Sequence, residues 1–155
     1  MNGKRSVIYW ADVFNLIGYI VIILLAPIGC YVLSMSFEMV QNTMRLNAFA
    51  DNLFDYPLPP QTEEIERYAE VGLLTGNSNH CDYLAKRTLA TRLSADEIEA
   101  FYRDIRLPEV VDHPKSPGVG VEVVIDPERQ SDGRLRVIVS LSNFFYPPGL
   151  DIRCH

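Results

Sequence analysis

LIGYIVIILLAPIGCYVLSMSF, residues Leu16 to Phe37, contains no charged side chain. At about 1.5 Å of rise per residue, a helix of this length crosses a hydrocarbon core of about 30 Å. A soluble domain would need a large core to hide so apolar a helix, and the rest of the chain is too short to build one. The stretch therefore reads as a membrane-spanning helix, with residues 1–38 as N-terminal segment and anchor. Tyr9 and Trp10 precede it, as interfacial aromatics do, and Glu38 closes it. Pro27 favours a kink, which membrane helices tolerate. Asp12 and Asn15 suit headgroup depth, where water satisfies them.

The flanks set an orientation. Lys4 and Arg5 lie before the span, whereas Arg45 is the only basic residue close behind it. The positive-inside bias then predicts a single-pass cell-membrane protein with a cytoplasmic N-terminus and an extracytoplasmic C-terminal domain. The apolar stretch is longer than a signal peptide's, and Ser34-Met35-Ser36 is a poor cleavage site. Cys30 follows Gly29, as in a lipoprotein signal, but Pro27-Ile28 before it and the apolar residues after it do not fit. An uncleaved anchor is expected. Gly18 and Gly29 are too far apart for a small-residue helix-pairing motif.

The 155 residues carry a formal charge of −6. That sign repels phosphate backbones, and no basic cluster with interleaved aromatics offsets it, so nucleic acid is excluded as an expected partner. The expected partners are the lipid bilayer, through residues 16–37, and another membrane or envelope protein.

Beyond the span, Val40, Met44, Phe49, Leu53 and Phe54 recur at helical spacing, predicting that the anchor helix continues as an amphipathic stalk. Pro57-Leu58-Pro59-Pro60 stops it, so residues 39–60 read as stalk and linker and 61–155 as the folded domain. Thr62 is placed to cap a short turn holding Glu63 and Glu64. Arg67 to Leu74 reads as a strand, and Gly76-Asn77-Ser78-Asn79 as a tight turn. His80 to Arg92 is then the returning strand of a hairpin, with a helix as competitor because Leu84, Ala85, Thr88 and Leu89 share a helical face.

Ser94-Ala95-Asp96-Glu97 is a capping box, and Ile98, Phe101, Tyr102 and Ile105 follow at helical spacing, predicting an amphipathic helix to about Arg106 that Pro108 ends. Val119, Val121, Val123 and Ile125 alternate with their neighbours, as do Leu135, Val137, Val139 and Leu141, which predicts a second hairpin. A short edge strand, Leu150 to Arg153, is expected after Pro147-Pro148. The sum is an α+β fold: an N-terminal transmembrane helix with stalk, then a small antiparallel sheet with one packed helix (β-β-α-β-β-β).

Leu58-Pro59-Pro60 with Thr62, then Gly76-Asn77-Ser78-Asn79, then Leu93-Ser94 with Glu97 and Phe101-Tyr102 resembles small membrane-anchored bacterial proteins that lack an assigned function. The resemblance covers about half of the soluble part. Its motifs are turn and capping elements, and it implies a fold and a bacterial origin without an activity.

Cys81 and Cys154 are the cysteines outside the span, and an oxidising compartment would pair them as a disulfide. The arrangement His80-Cys81 and Cys154-His155 also has the donor types of a metal site, but adjacent side chains on an extended chain point to opposite faces. A thiol nucleophile at Cys81 would need His113 or His155 as a fixed base. No catalytic residue, cofactor or metal ligand is therefore expected. Phe144, Phe145 and Tyr146 form an apolar cluster expected as a contact surface, or as a cap folded back on the sheet. The leading expectation is an extracytoplasmic accessory or protein-interaction domain. The alternative is a thiol- or metal-dependent enzyme centred on Cys81, His80 and Cys154.

Overall fold

One helix, α1 (Trp10–Phe54), runs for 45 residues and continues through Pro27. The structure is a computed structural model and describes residues 10–76, 78–110 and 118–155. Lys4, Arg5, Tyr9, Asn77 and His113 lie outside the described residues. From Phe14 to Ser34 every residue of α1 is exposed. This part is long and apolar enough to span a membrane, with a mean hydropathy of 2.5 in its most apolar window. An apolar surface that the protein itself leaves bare is what lipid would cover.

The rest of α1 enters the domain instead of standing below it. Leu46, Phe49, Ala50 and Leu53 are buried in the core, and Asn42 is buried with them. Of the stalk face expected from spacing, Phe49 and Leu53 are in the core, whereas Val40 and Met44 are exposed. The buried seam is 42-46-49-50-53, at i+4 and i+3 steps, and its first member is polar because Asn42 has partners described below.

The sheet has four strands in the order β1-β2-β4-β3, each pair antiparallel. These are β1 (Thr62–Gly72), β2 (Cys81–Thr91), β3 (Gly120–Arg129) and β4 (Leu135–Tyr146). The helix α2 (Ala95–Tyr102) comes between the hairpins, and Ser94 and Glu97 make the full reciprocal cap at its start. Along β2, the strand reading prevails over the helical one. Tyr83, Ala85 and Leu89 point into the core with Val137, Val139 and Leu141 of β4, and α2 adds Ile98 and Tyr102. Among the described residues no helix packs on the other sheet face, as antiparallel sheets allow.

Two expectations about the chain's ends of order need correction. Thr62 does not cap a turn: β1 begins there, and the Thr62 hydroxyl bonds to the Pro60 carbonyl (3.1 Å) and to Thr91 Oγ1 (2.8 Å). Glu63 meets Arg134 from the turn before β4 and Glu64 meets Arg87 from β2, so tertiary ion pairs take the place of a helix N-terminus. Leu150 to Arg153 is not a strand. Asp151 caps a 3-10 turn, Ile152–Cys154, by accepting from the Arg153 N–H at 3.1 Å. Its backbone contact with the sheet region is the Leu73 N–H donating to the Arg153 carbonyl at 2.7 Å.

Arg87 fixes where α1 stops. It is 4% exposed, and one of its guanidinium nitrogens donates to the carbonyls of Leu53 (3.1 Å) and Tyr56 (2.7 Å), while Nε pairs with Glu64. A cation at a helix C-terminus meets the negative end of the dipole and satisfies orphan carbonyls. Burial pushes the Glu64 carboxyl up, but Arg67 and Arg87 outweigh it and hold it below its ordinary value.

Candidate functional site

The end of the domain nearest the apolar half of α1 gathers most of the residues that carry chemistry. Asn42 is one turn beyond Glu38 on α1, and it donates to Asp151 Oδ2 at 2.9 Å and to Cys81 Sγ at 3.5 Å. Its carbonyl oxygen accepts from the Tyr83 hydroxyl and from Arg45, each at 3.0 Å. Since β2 meets α1 at Asn42 near its start and at Leu53 near Arg87, the strand climbs away from the span alongside the helix.

Cys81 and Cys154 are joined in a disulfide that links positions 73 apart, and both are fully buried. The cysteine expectation is met, and neither sulfur is a free thiolate in this state. Asp151 lies against the bond: one oxygen of its carboxylate and the two sulfurs are within 4.8 Å of one another. That carboxylate also accepts from the Arg153 side chain (2.7 and 2.9 Å). Burial pushes Asp151 up, but hydrogen bonds from Arg153 and Asn42 hold it below its ordinary value. Arg153 completes the clamp by donating to the Met39 carbonyl (2.9 Å) and to Thr43 (3.1 Å) of α1. The turn at Ile152–Cys154 is therefore tied covalently to β2 and directly to the helix through charge-assisted bonds.

His80 does not join the cysteines. Its ring stacks on Phe145 with centroids 4.9 Å apart, Nδ1 meets Ser78 Oγ at 3.2 Å, and Nε2 meets the Asp82 carboxylate at 3.1–3.2 Å. A hydroxyl, an imidazole and a carboxylate in line are the elements of a nucleophile relay. Here Asp82 has a visible structural task. Fully buried, it also accepts from the N–H groups of Leu74 (3.1 Å), Thr75 (2.8 Å) and Phe145 (3.2 Å) and from the Thr75 hydroxyl (2.8 Å). The Phe145 bond matters because the β2–β4 register slips between Cys81 and Tyr83, and Phe145 has a left-handed φ of 66°. A bulge leaves backbone groups unpaired and re-aims side chains, and Asp82 supplies the missing acceptor. His155 is exposed and meets the Gly149 carbonyl at 3.3 Å.

The Phe144–Tyr146 cluster is the end of β4, not an inter-strand loop. Phe145 is 52% exposed, Phe144 is half-buried, and Tyr146 is buried with its hydroxyl on Asn143. Of the expected contact surface, Phe145 offers most of the area.

On the other flank, a groove of about 590 Å³ runs between β3 and the α2 region. Val119, Val121 and Val123 line one side, and Tyr102, Ile105 and Leu107 the other. Glu99, Arg103, Arg106 and Glu109 form a rim of mixed sign. Asn143 holds the mouth in shape by accepting from the Val110 N–H (3.4 Å) and donating to the Gly118 carbonyl (2.9 Å). Among the described elements, β3 pairs only with β4, so its outer edge is open. The sequence shows the valine alternation, but the groove needs the placement of α2 and was not foreseen. Asn42, Asp82, Arg87 and Asp151 were also missed, because a lone polar residue in a strand or helix pattern reads as solvated until its partner is placed. No protein-family model matches the chain, and no curated protein or solved structure does so either.

Proposed function

We propose that this chain is a membrane-anchored extracytoplasmic interaction domain that holds an extended segment of another membrane or envelope protein along the β3 edge. The observation that carries the reading is the open, valine-rich edge beside the apolar groove. An extended peptide satisfies such an edge with main-chain bonds and places alternate side chains in the adjoining groove. The opposite edge, β1, presents Glu63, Glu64, Glu66, Arg67 and Glu70, the charges by which sheets discourage added strands. Between Gly120 and Ile125, β3 carries only Glu122. A mount in which α1 is both anchor and core gives this edge a fixed height and direction above the bilayer.

The test is site-specific photo-cross-linking in intact cells, with the cross-linker at Val124 or Arg103 and, for comparison, at Glu66 on β1. A discrete adduct from the first two positions and none from the third supports the reading; equal or absent adducts at all three refute it. The extracytoplasmic placement is tested with Glu99→Cys, an exposed position, and a membrane-impermeant maleimide. Labelling only after lysis reverses the orientation.

The thiol- or metal-dependent alternative draws on the closeness of Asp151 to both sulfurs. It requires the disulfide to be reduced first. Stoichiometric zinc uptake by the reduced, folded chain, abolished by Asp151→Ala, would favour it.

A further inference from the structure

We propose that the C-terminal turn is a second, peripheral membrane contact, in which Leu150 and Ile152 rest in the headgroup–acyl boundary of the leaflet from which α1 emerges. The inference rests on α1 as a membrane span, and it concerns a surface separate from the β3 groove.

The level of the turn comes from its neighbours on α1. Gly149 abuts Glu38, the first charge after the span: a Cβ added to this glycine would lie 3.1 Å from the Glu38 carboxylate. Beyond Gly149 the chain dips below that level. A cleft of about 280 Å³ is lined by Tyr31 and Met35 of α1 together with Gly149, Leu150, Ile152 and His155. Tyr31 and Met35 belong to the charge-free stretch, and Tyr31 precedes Phe37 by roughly 9 Å of helix. Interfacial elements bury their apolar side by about 5–10 Å, which is the depth range this cleft reaches.

The polarity of the turn is inverted for a water-facing segment. Asp151 is fully buried against Asn42 and Arg153, and Cys154 is fully buried in the disulfide. Leu150 and Ile152 point outward, 38% and 57% exposed. Phe145, 52% exposed, is at the same end of the sheet. Single exposed apolar residues are ordinary on soluble proteins. These are different, because the Arg153 bonds to Met39 and Thr43 and the disulfide prevent the turn from leaving the level of the span. A fixed apolar pair beside a lipid-facing helix is covered by lipid whenever the helix is inserted.

Trp10 is the single tryptophan, so the Trp10→Phe background makes an added indole the only one. In that background the full chain carrying Ile152→Trp is reconstituted into phosphatidylcholine vesicles whose acyl chains are brominated near the glycerol. Ile65→Trp on β1, 53% exposed and at the far end of the sheet, is the matched control. The expected result is a blue-shifted emission quenched about twofold or more at position 152, with red-shifted, unquenched emission at position 65. Leu150→Trp reports on the same contact and stands in if the first variant fails to form its disulfide. Emission from both turn positions as red and unquenched as the control overturns the proposal. Vesicle flotation is scored in parallel: a chain that floats but shows no quenching refutes the turn contact alone, whereas one that does not float refutes the anchor and the contact together.

Discussion

Replacing Cys81 and Cys154 together by alanine removes the covalent tie between β2 and the last turn. The bond closes a loop across 73 positions, and in the chain-entropy treatment a crosslink of that span contributes about 4 kcal/mol. Both sulfurs are fully buried, so truncation also loses packing, on the order of 1 kcal/mol per site. A loss of about 4–6 kcal/mol is large against the roughly 5–15 kcal/mol that holds a domain folded, and it lowers the thermal midpoint by roughly 20 °C or more. The readout is denaturant unfolding of the full chain in detergent, followed by near-UV circular dichroism from the buried Tyr83, Tyr102 and Tyr146. Far-UV signal would mislead, because the span stays helical in micelles. Cys154→Ala alone should cost nearly as much as the pair, since either change opens the loop. An unfolding free energy that falls by less than about 1 kcal/mol would sink the argument that the C-terminal turn is held mainly by this bond.

Three further outcomes follow from named contacts. Arg87→Ala leaves the Leu53 and Tyr56 carbonyls without their donor and Glu64 with Arg67 alone, so it should cost about 2–4 kcal/mol in the same unfolding assay; a loss below about 1 kcal/mol contradicts the cap. Tyr102 is 3% exposed with its hydroxyl unpartnered among the described residues, so Tyr102→Phe should leave stability unchanged or raise it by about 1 kcal/mol. Burial pushes that phenol up to about 12 from its ordinary 10.0, so the native state disfavours ionisation. Its stabilising share is whole below pH 10 and fades between 10 and 12, a fall in midpoint that the phenylalanine variant should lack. Asp151 is held below its ordinary carboxyl value, so its contribution is present above the ordinary range and is lost as pH falls through the folded value. Asp151→Asn should lower stability at neutral pH and flatten the acid limb, measured as midpoint against pH; an unchanged acid limb would refute that role.

Local signals in the sequence carried the elements whose causes are local. The span follows from an absence of charge, α2 from a reciprocal cap, and the second hairpin from alternation around Asp132-Gly133. Where the reading failed, a distant partner decided. Thr62-Glu63-Glu64 has the composition of a helix start, but Arg87 and Arg134 claim both carboxylates for the sheet. Leu150 to Arg153 alternates like a strand, but Asp151 finds Asn42, from a position 109 residues away, and curls the chain into a turn. The stalk face was shifted because spacing weighed Val40 and Met44 as core, whereas the packed seam includes Asn42 for its hydrogen bonds. Of the candidate site, the cysteine pair was legible from the count of two outside the apolar stretch. The groove was not, because it exists only between elements.

The way the anchor is attached bears on what the domain can transmit. A flexible tether would let the β3 edge sample many heights, and binding there would say little about the membrane. Here α1 supplies four core side chains, its end is capped by Arg87, and its turn from Met39 to Thr43 is held by Asn42 and Arg153. Breaking any one tie leaves the other two, so the helix and the sheet move as one body. On the function proposed above, a rotation or tilt of α1 in the bilayer turns the β3 edge by the same angle, and a partner held along that edge biases the tilt in return, since coupling is reciprocal. Gly-Gly-Gly inserted between Met39 and Val40 separates the two parts while leaving the Asn42 and Arg87 contacts in place. If the domain works through fixed orientation, that insertion abolishes the site-specific adduct at Val124 with little change in folding; a retained adduct would mean that the edge alone suffices.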